Sequence, residues 1–335
     1  MKTLQQWLIG FSLLLSAQSL AYAADFAPSI ESEPCIARDS AGDLLGWADY
    51  PHCLIELRAQ SSVRWFDDWL GHPDMDESAS IALRAISEFT VDDKGDLTAA
   101  LRLRAQVALP RLSKRLSLVF EDESKETSSL RSIPSVNESV LALRWLVLSL
   151  ERVRIETDAG VRSGPDLFVR GRFATSYAIT PDDQVRFAQS LRYGAKEKVR
   201  AINSIDYNHA LQDSSVFSLY HQLDFQQEND ADGAFWSRGA VLSRGLSKDS
   251  SAALGVGQEG VSESWQERSR YVWVRYRQQF LRDWLFYEVE PRLTQTRDRD
   301  WDTLPSLTLR LEVHFGHQRR DKPERVAFFP SLDDR

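Results

Sequence analysis

The chain has 335 residues, 49 acidic against 41 basic side chains, a formal net charge of −8 and 42% hydrophobic residues. The acidic balance excludes a general nucleic-acid binder, which must neutralise phosphates, and the negative mean hydropathy excludes a bundle of apolar membrane helices. It does not exclude a β-barrel in a membrane, where only alternate residues meet lipid.

Lys2, the apolar run Leu8 to Leu15 and the small residues of Ala21-Tyr22-Ala23 read as a secretory signal over residues 1–23, with Sec-type export and a mature start at Ala24. Residues 24–78 are expected to form a small periplasmic segment. Pro28, Pro34, Gly42, Gly46 and Pro51 break up its first half, and Cys35 and Cys53, the only cysteines, read most simply as a disulfide in an exported chain. An amphipathic helix is predicted from about Leu54 to Leu70, stopped by Gly71-His72-Pro73. Two readings of its aromatic residues Trp65, Phe66 and Trp69 stay open: a small core of their own, or a helix that lies at a barrel mouth or enters the lumen as a plug.

From Ser80 the apolar period changes from helical to two. Ile81, Leu83, Ala85 and Phe89 lead to the turn Asp92-Asp93-Lys94-Gly95-Asp96, and Leu97 to Leu109 returns the chain. A third strand over about Arg115 to Glu121 precedes the acidic, serine-rich stretch Glu121 to Asn137, read as a long outer loop. Further strands are predicted near 140–150, 153–162, 167–179, 184–193, 199–209, 216–226, 234–244, 251–259 and 269–280, with Thr180-Pro181-Asp182-Asp183 as one tight turn. The last two strands lie between Leu285 and Phe315. In the final one Leu307, Leu309, Leu311, Val313 and Phe315 alternate with Thr308, Arg310, Glu312 and His314. The prediction is an all-β, antiparallel up-and-down transmembrane barrel over 79–316, of about 14 strands with 12 to 16 open, followed by a polar tail over 317–335.

The signal, the many short amphipathic strands and a terminal strand closing on Phe315 resemble a Gram-negative outer-membrane β-barrel protein, porin-like. The phrases Trp65-Phe66-Asp67-Asp68-Trp69, Arg282-Asp283-Trp284-Leu285-Phe286-Tyr287-Glu288-Val289-Glu290-Pro291 and Leu309-Arg310-Leu311-Glu312-Val313 are similar to those of uncharacterised proteobacterial barrel proteins. The resemblance implies location and fold, not a reaction. Barrels of this class commonly end at the aromatic residue, whereas this chain continues to Arg335. The partners implied are outer-membrane lipid and lipopolysaccharide, and the barrel assembly machinery during biogenesis.

If the apolar parity meets lipid, the other parity lines a lumen with Arg84, Arg102, Arg104, Arg170, Arg172, Arg186, Arg192, Arg275, Arg277, Glu288, Glu290, Arg292, Arg310 and Glu312, joined by Glu88, Arg144, Arg154, Glu156, Asp158, Arg162 and Arg200. Arginine exceeds carboxylate in this set, and lysine falls in turns and loops. Two readings stand: a lattice of ion pairs that stiffens the wall, or a basic lumen that passes or binds an anionic solute. Aromatic residues such as Trp145, Tyr177, Tyr207, Tyr276 and Tyr287 fit an interfacial girdle. Ser218 and His221 have opposite parity, His314 reads as a wall residue, and no nucleophile–base set or phosphate loop is found, so no catalytic residue is assigned. No cofactor or metal site is assigned either. The acidic runs around Asp92 and Asp230 read as solvated loops. Two alternatives to a pore or structural barrel remain: an outer-membrane lipid-modifying or hydrolytic enzyme on a barrel scaffold, and a soluble periplasmic β-sandwich binding module.

Overall fold

The computed structural model describes residues 49–70, 80–109, 113, 115–122, 139–164, 166–196, 198–212, 214–227, 233–263 and 265–316. The signal segment, Cys35, the stretch 123–138 and the tail over 317–335 lie outside the described residues. The chain divides into two units, Met1–Leu54 and Ile55–Arg335. In the first unit, the described residues open the helix α1 (Asp49–Leu70), where Asp49 sits in the first turn and suits the positive end of the helix dipole. Cys53 is disulfide-bonded.

The second unit carries fourteen strands: β1 (Ser80–Val91), β2 (Leu97–Ala108), β3 (Leu116–Asp122), β4 (Ser139–Ser149), β5 (Val153–Arg162), β6 (Asp166–Ala178), β7 (Asp183–Gly194), β8 (Lys198–Ala210), β9 (Ser215–Gln226), β10 (Phe235–Gly245), β11 (Ser250–Val261), β12 (Gln266–Gln279), β13 (Leu285–Thr296) and β14 (Thr303–Phe315). Each pairs antiparallel with its sequence neighbours, and β14 returns to β1, so the sheet is a closed barrel. The closing seam runs from Leu83 opposite Phe315 to Val91 opposite Leu307. Closure removes both sheet edges. It also overturns the β-sandwich alternative, because one sheet closed on itself has no second sheet to pack against.

Turn chemistry fixes the register. At the β1–β2 hairpin the Asp92 carboxylate accepts from the backbone N–H groups of Lys94 and Asp96 at 3.0 and 2.9 Å, and Gly95 takes a φ of +82°, which a side chain would resist. At the β6–β7 turn the Thr180 hydroxyl accepts from the Asp182 N–H at 3.3 Å. Both ends of the barrel chain, the start of β1 and the close of β14, share one rim, called here the near end. The β1–β2 turn and the β13–β14 connection lie at the opposite, far end.

Burial alternates along the strands. In β4, Val140, Ala142 and Arg144 are buried while Leu141, Leu143 and Trp145 are exposed. The exposed parity is apolar around the wall: Leu101 is 64% exposed and Leu167 67%, with Val169, Leu191, Leu254, Val274, Leu307 and Leu309 among the others. A continuous apolar coat of this kind is unfavourable in water and is what a lipid-facing barrel wall requires.

The helix meets that outer coat. Val63 clusters with Val107 and Leu109, and Ile81 and Leu118 pack against them. Ile81, Val107 and Leu118 are cross-strand neighbours on β1, β2 and β3, and Val107 shares the parity of the exposed Leu101 and Leu103. At Val63 the helix therefore lies on the outside of the wall, near the rim where β1 begins. The side chains of Trp65, Phe66 and Trp69 lie outside the described residues. The contact made by Val63 points away from the lumen and gives the plug expectation no support.

Candidate functional site

The inward parity gathers the ionised residues into two lattices. One spans the seam. Glu88 on β1 receives Arg102 from β2 and Arg310 from β14, the latter at 2.6 Å. Arg310 also reaches Glu288 and, at 2.8 Å, Glu290 on β13. Arg275 on β12 pairs with Glu290 at 2.7 Å, and Arg277 with Glu312 at 2.6 Å. Glu312 also holds Arg84 and His314, each at 2.6 Å. The register puts Glu88, Arg310, Glu288 and Arg277 in one row across β1, β14, β13 and β12. Alternating sign along a row of directly opposed residues is why these groups meet. Arg104 stands opposite Arg84.

The second lattice covers β3 to β6. The Asp158 carboxylate, 1% exposed, accepts from the Arg144 Nε at 3.0 Å and from the Arg170 Nε at 2.9 Å, with Arg172 at 3.5 Å. Arg144 continues to Glu121 at 2.8 Å, and Arg154 pairs with Glu156 at 2.6 Å. Beyond it Arg162 reaches Asp166 at 3.1 Å and Arg200 reaches Asp224 at 2.7 Å. Arg186 stands opposite Asp206. The inward carboxylates Glu121, Asp166, Asp206, Asp224, Glu259 and Glu267 were not anticipated from sequence. They narrow the predicted excess of arginine without abolishing it.

What remains of that excess concentrates on one stretch of wall. Arg170, Arg192 and Arg200 occupy directly opposed positions on β6, β7 and β8. Arg192 is thus flanked in register by two arginines; Asp158 stands opposite Arg170 on β5, and Arg200 reaches Asp224, which lies two residues along β9 from its register partner Gln226. Its guanidinium lies 5.9 Å from the centre of the Phe168 ring.

The inward face of β9 to β12 is different in kind. Tyr220, Val241, Ala253, Tyr271 and Trp273 form a buried apolar cluster, and the Tyr220 and Tyr271 hydroxyls are 2.9 Å apart. Small residues on β11 make the room: a Cβ on Gly255 would fall 2.3 Å from the Trp273 ring, and one on Gly257 2.6 Å from the Tyr271 ring. The aromatic rings lie across glycines of the adjacent strand. Arg275 and Arg292 sit over the rings of Trp273 and Tyr271, at 4.6 and 4.2 Å from their centres. A period of two within each strand could not show that these residues, on four different strands, cluster.

The remaining chemistry-bearing residues are dispersed. Ser218 is fully buried on the inward face and donates to the Asn208 carbonyl oxygen at 2.8 Å, while His221 faces outward. Asp183, at the near rim of β7, accepts from the Tyr207 hydroxyl at 2.5 Å and lies 2.8 Å from His209 Nδ1, on the outer face.

No known family and no curated protein matches the chain. Among solved structures it is similar to outer-membrane porins. The loop-L8 deletion mutant of OmpT from Vibrio cholerae aligns with a TM-score of 0.45 and 8% identity over 71% of this chain and 99% of that one. The channel DcaP of Acinetobacter baumannii gives 0.42 and 10% over 71% and 96%. The KdgM porin in complex with disordered oligogalacturonate gives 0.38 and 7% over 69% and 99%. The closed barrel stands on its own strand pairing rather than on these likenesses.

Proposed function

We infer that the protein is an outer-membrane pore of a Gram-negative cell, with its near end in the periplasm, whose lumen favours anionic solutes. The exposed apolar coat supports the membrane setting. The single observation that carries the selectivity is the row Arg170–Arg192–Arg200, where arginines are directly opposed in register on three successive strands, β6, β7 and β8. Charge on a lumen wall sets the sign of the ion that lingers there. In a planar bilayer under a salt gradient the purified protein is expected to pass chloride in preference to potassium, and Arg192→Glu to lower that preference towards or below unity. A cation-selective wild type would sink this reading.

A second reading has an observation of its own. Asp158, Arg170, Glu290 and Trp273 are almost fully buried although they face the lumen, so the wall is densely filled at those levels. Electrical silence of a correctly folded barrel would favour a structural barrel stiffened by its ion pairs.

The helix, on this reading, is an external brace and not a plug. Val63→Asp is expected to detach it from Val107 and Leu109, making residues 55–63 readily cut by protease while conductance stays unchanged. A rise in conductance on the same substitution would restore the plug.

A further inference from the structure

The arginines outside the lumen are the informative exceptions. On the outward parity near the far end, Arg238, Gln258, Arg270, Gln295 and Thr303 are directly opposed residues on β10 to β14. They form one polar row across five strands. The next outward row towards the middle of the wall is wholly apolar: Leu219, Ala240, Val256, Val272, Leu293 and Pro305 are again directly opposed. Between and beneath the two rows lies a groove of about 740 Å³, lined by both. Ala240, Gly239 and Gly257, all small, are among its lining residues.

The polar row carries positive charge and no acid. Arg238 donates to the Gln258 carbonyl oxygen at 3.1 and 3.0 Å, and Arg270 to that of Gln295 at 2.7 Å. Among the described residues no carboxylate lies within ion-pair distance of either, in contrast to the lattices inside. Each guanidinium also lies over a tryptophan ring, Arg238 over Trp236 at 5.0 Å and Arg270 over Trp301 at 4.9 Å, which steadies it at the height where indole suits a membrane interface. The two strands are about 10 Å apart, two sheet spacings; Arg238 turns to Gln258 on β11 and Arg270 to Gln295 on β13, so a headgroup shared by both draws the Arg270 fork back from Gln295.

We propose that this groove binds an acylated lipid with a phosphate headgroup, the phosphate held between Arg238 and Arg270 and an acyl chain laid along Ala240, Val256 and Val272. Guanidinium forks match phosphate oxygens bidentately, and the apolar row directly below is where a chain attached to that headgroup must run. The occupant comes from the leaflet around the far end. This rests on the membrane reading above.

The test uses the full mature protein in phosphatidylcholine vesicles and reads tryptophan quenching by lipids brominated on their acyl chains. Brominated phosphatidic acid should quench a fraction of the emission at far lower mole fraction than brominated phosphatidylcholine. Arg238→Gln/Arg270→Gln should weaken that preference roughly 30-fold, the effect of two basic residues at a membrane surface. Ala240→Phe, which fills the groove but leaves both charges, should abolish it, while both variants keep the heat-modifiable mobility of a folded barrel. Quenching by both lipids to the same degree would overturn the site and leave the membrane reading intact. Absence of quenching by either would overturn both. Displacement by inorganic phosphate alone at matched concentration would show a headgroup-only anion site and overturn the lipid assignment.

Discussion

Asp158→Asn is expected to lower the stability of the folded barrel by about 3–5 kcal/mol, the usual cost of removing one partner from a buried ion pair. The carboxylate is 1% exposed and is shared by Arg144 on β4 and Arg170 on β6, with Arg172 close behind. It is the anion that ties three adjacent strands together. Asparagine keeps the shape but removes the charge that both guanidiniums share, while Arg144 keeps Glu121 at 2.8 Å and Glu156 at 3.7 Å. The measurement is the urea midpoint for folding into vesicles. Glu121→Gln is the control: its side chain is 25% exposed and water screens what the substitution removes, so the loss there should be much smaller. A midpoint for Asp158→Asn within error of wild type would mean that the β4–β6 lattice does not hold the wall. Replacing Asp158 and Arg170 together by apolar residues should recover part of the loss, because the buried Arg170 charge goes with its counter-ion and Arg144 keeps Glu121 at 2.8 Å.

Most of the barrel was legible because a period of two is a local property. The run Leu307 to Phe315 shows its two faces without any partner strand, and the predicted count of fourteen matches the closed sheet. The lumen list was less complete for a physical reason. Asp166 and Glu121 sit at strand ends, where composition reads as turn, and β4 carries a register shift between Leu146 and Leu148 that blurs the alternation there. Side-chain type also hid the outer groove. Arg238, Gln258 and Arg270 lie on three strands and become neighbours only once register is set. The position of Val63 against Val107 had no sequence signal at all, since helical periodicity shows that a face is apolar and not which surface receives it.

Gly255→Val should be the most damaging single substitution on the lumenal side of β11. The Cβ alone would fall 2.3 Å from Cε2 and Cζ2 of Trp273, and the ring cannot yield cheaply: it is 2% exposed, packed with Val241, Ala253 and Tyr271, and covered by Arg275 at 4.6 Å. Arg275 in turn holds Glu290 at 2.7 Å, so moving the indole strains the seam lattice as well. Overpacking a filled core costs about 1–3 kcal/mol and more where neighbours are fixed, so a loss of at least that size is expected in the same vesicle-folding titration. The discriminating variant is the double one. Trp273→Ala by itself removes a large buried ring and should cost about 3–5 kcal/mol, yet in the Gly255→Val background it should cost much less, because the valine occupies space that the ring vacates. A strongly non-additive pair places the ring across the glycine. Simple additivity would mean that Trp273 does not lie across Gly255, and that the glycine-and-aromatic half of the lumen is organised in some other way.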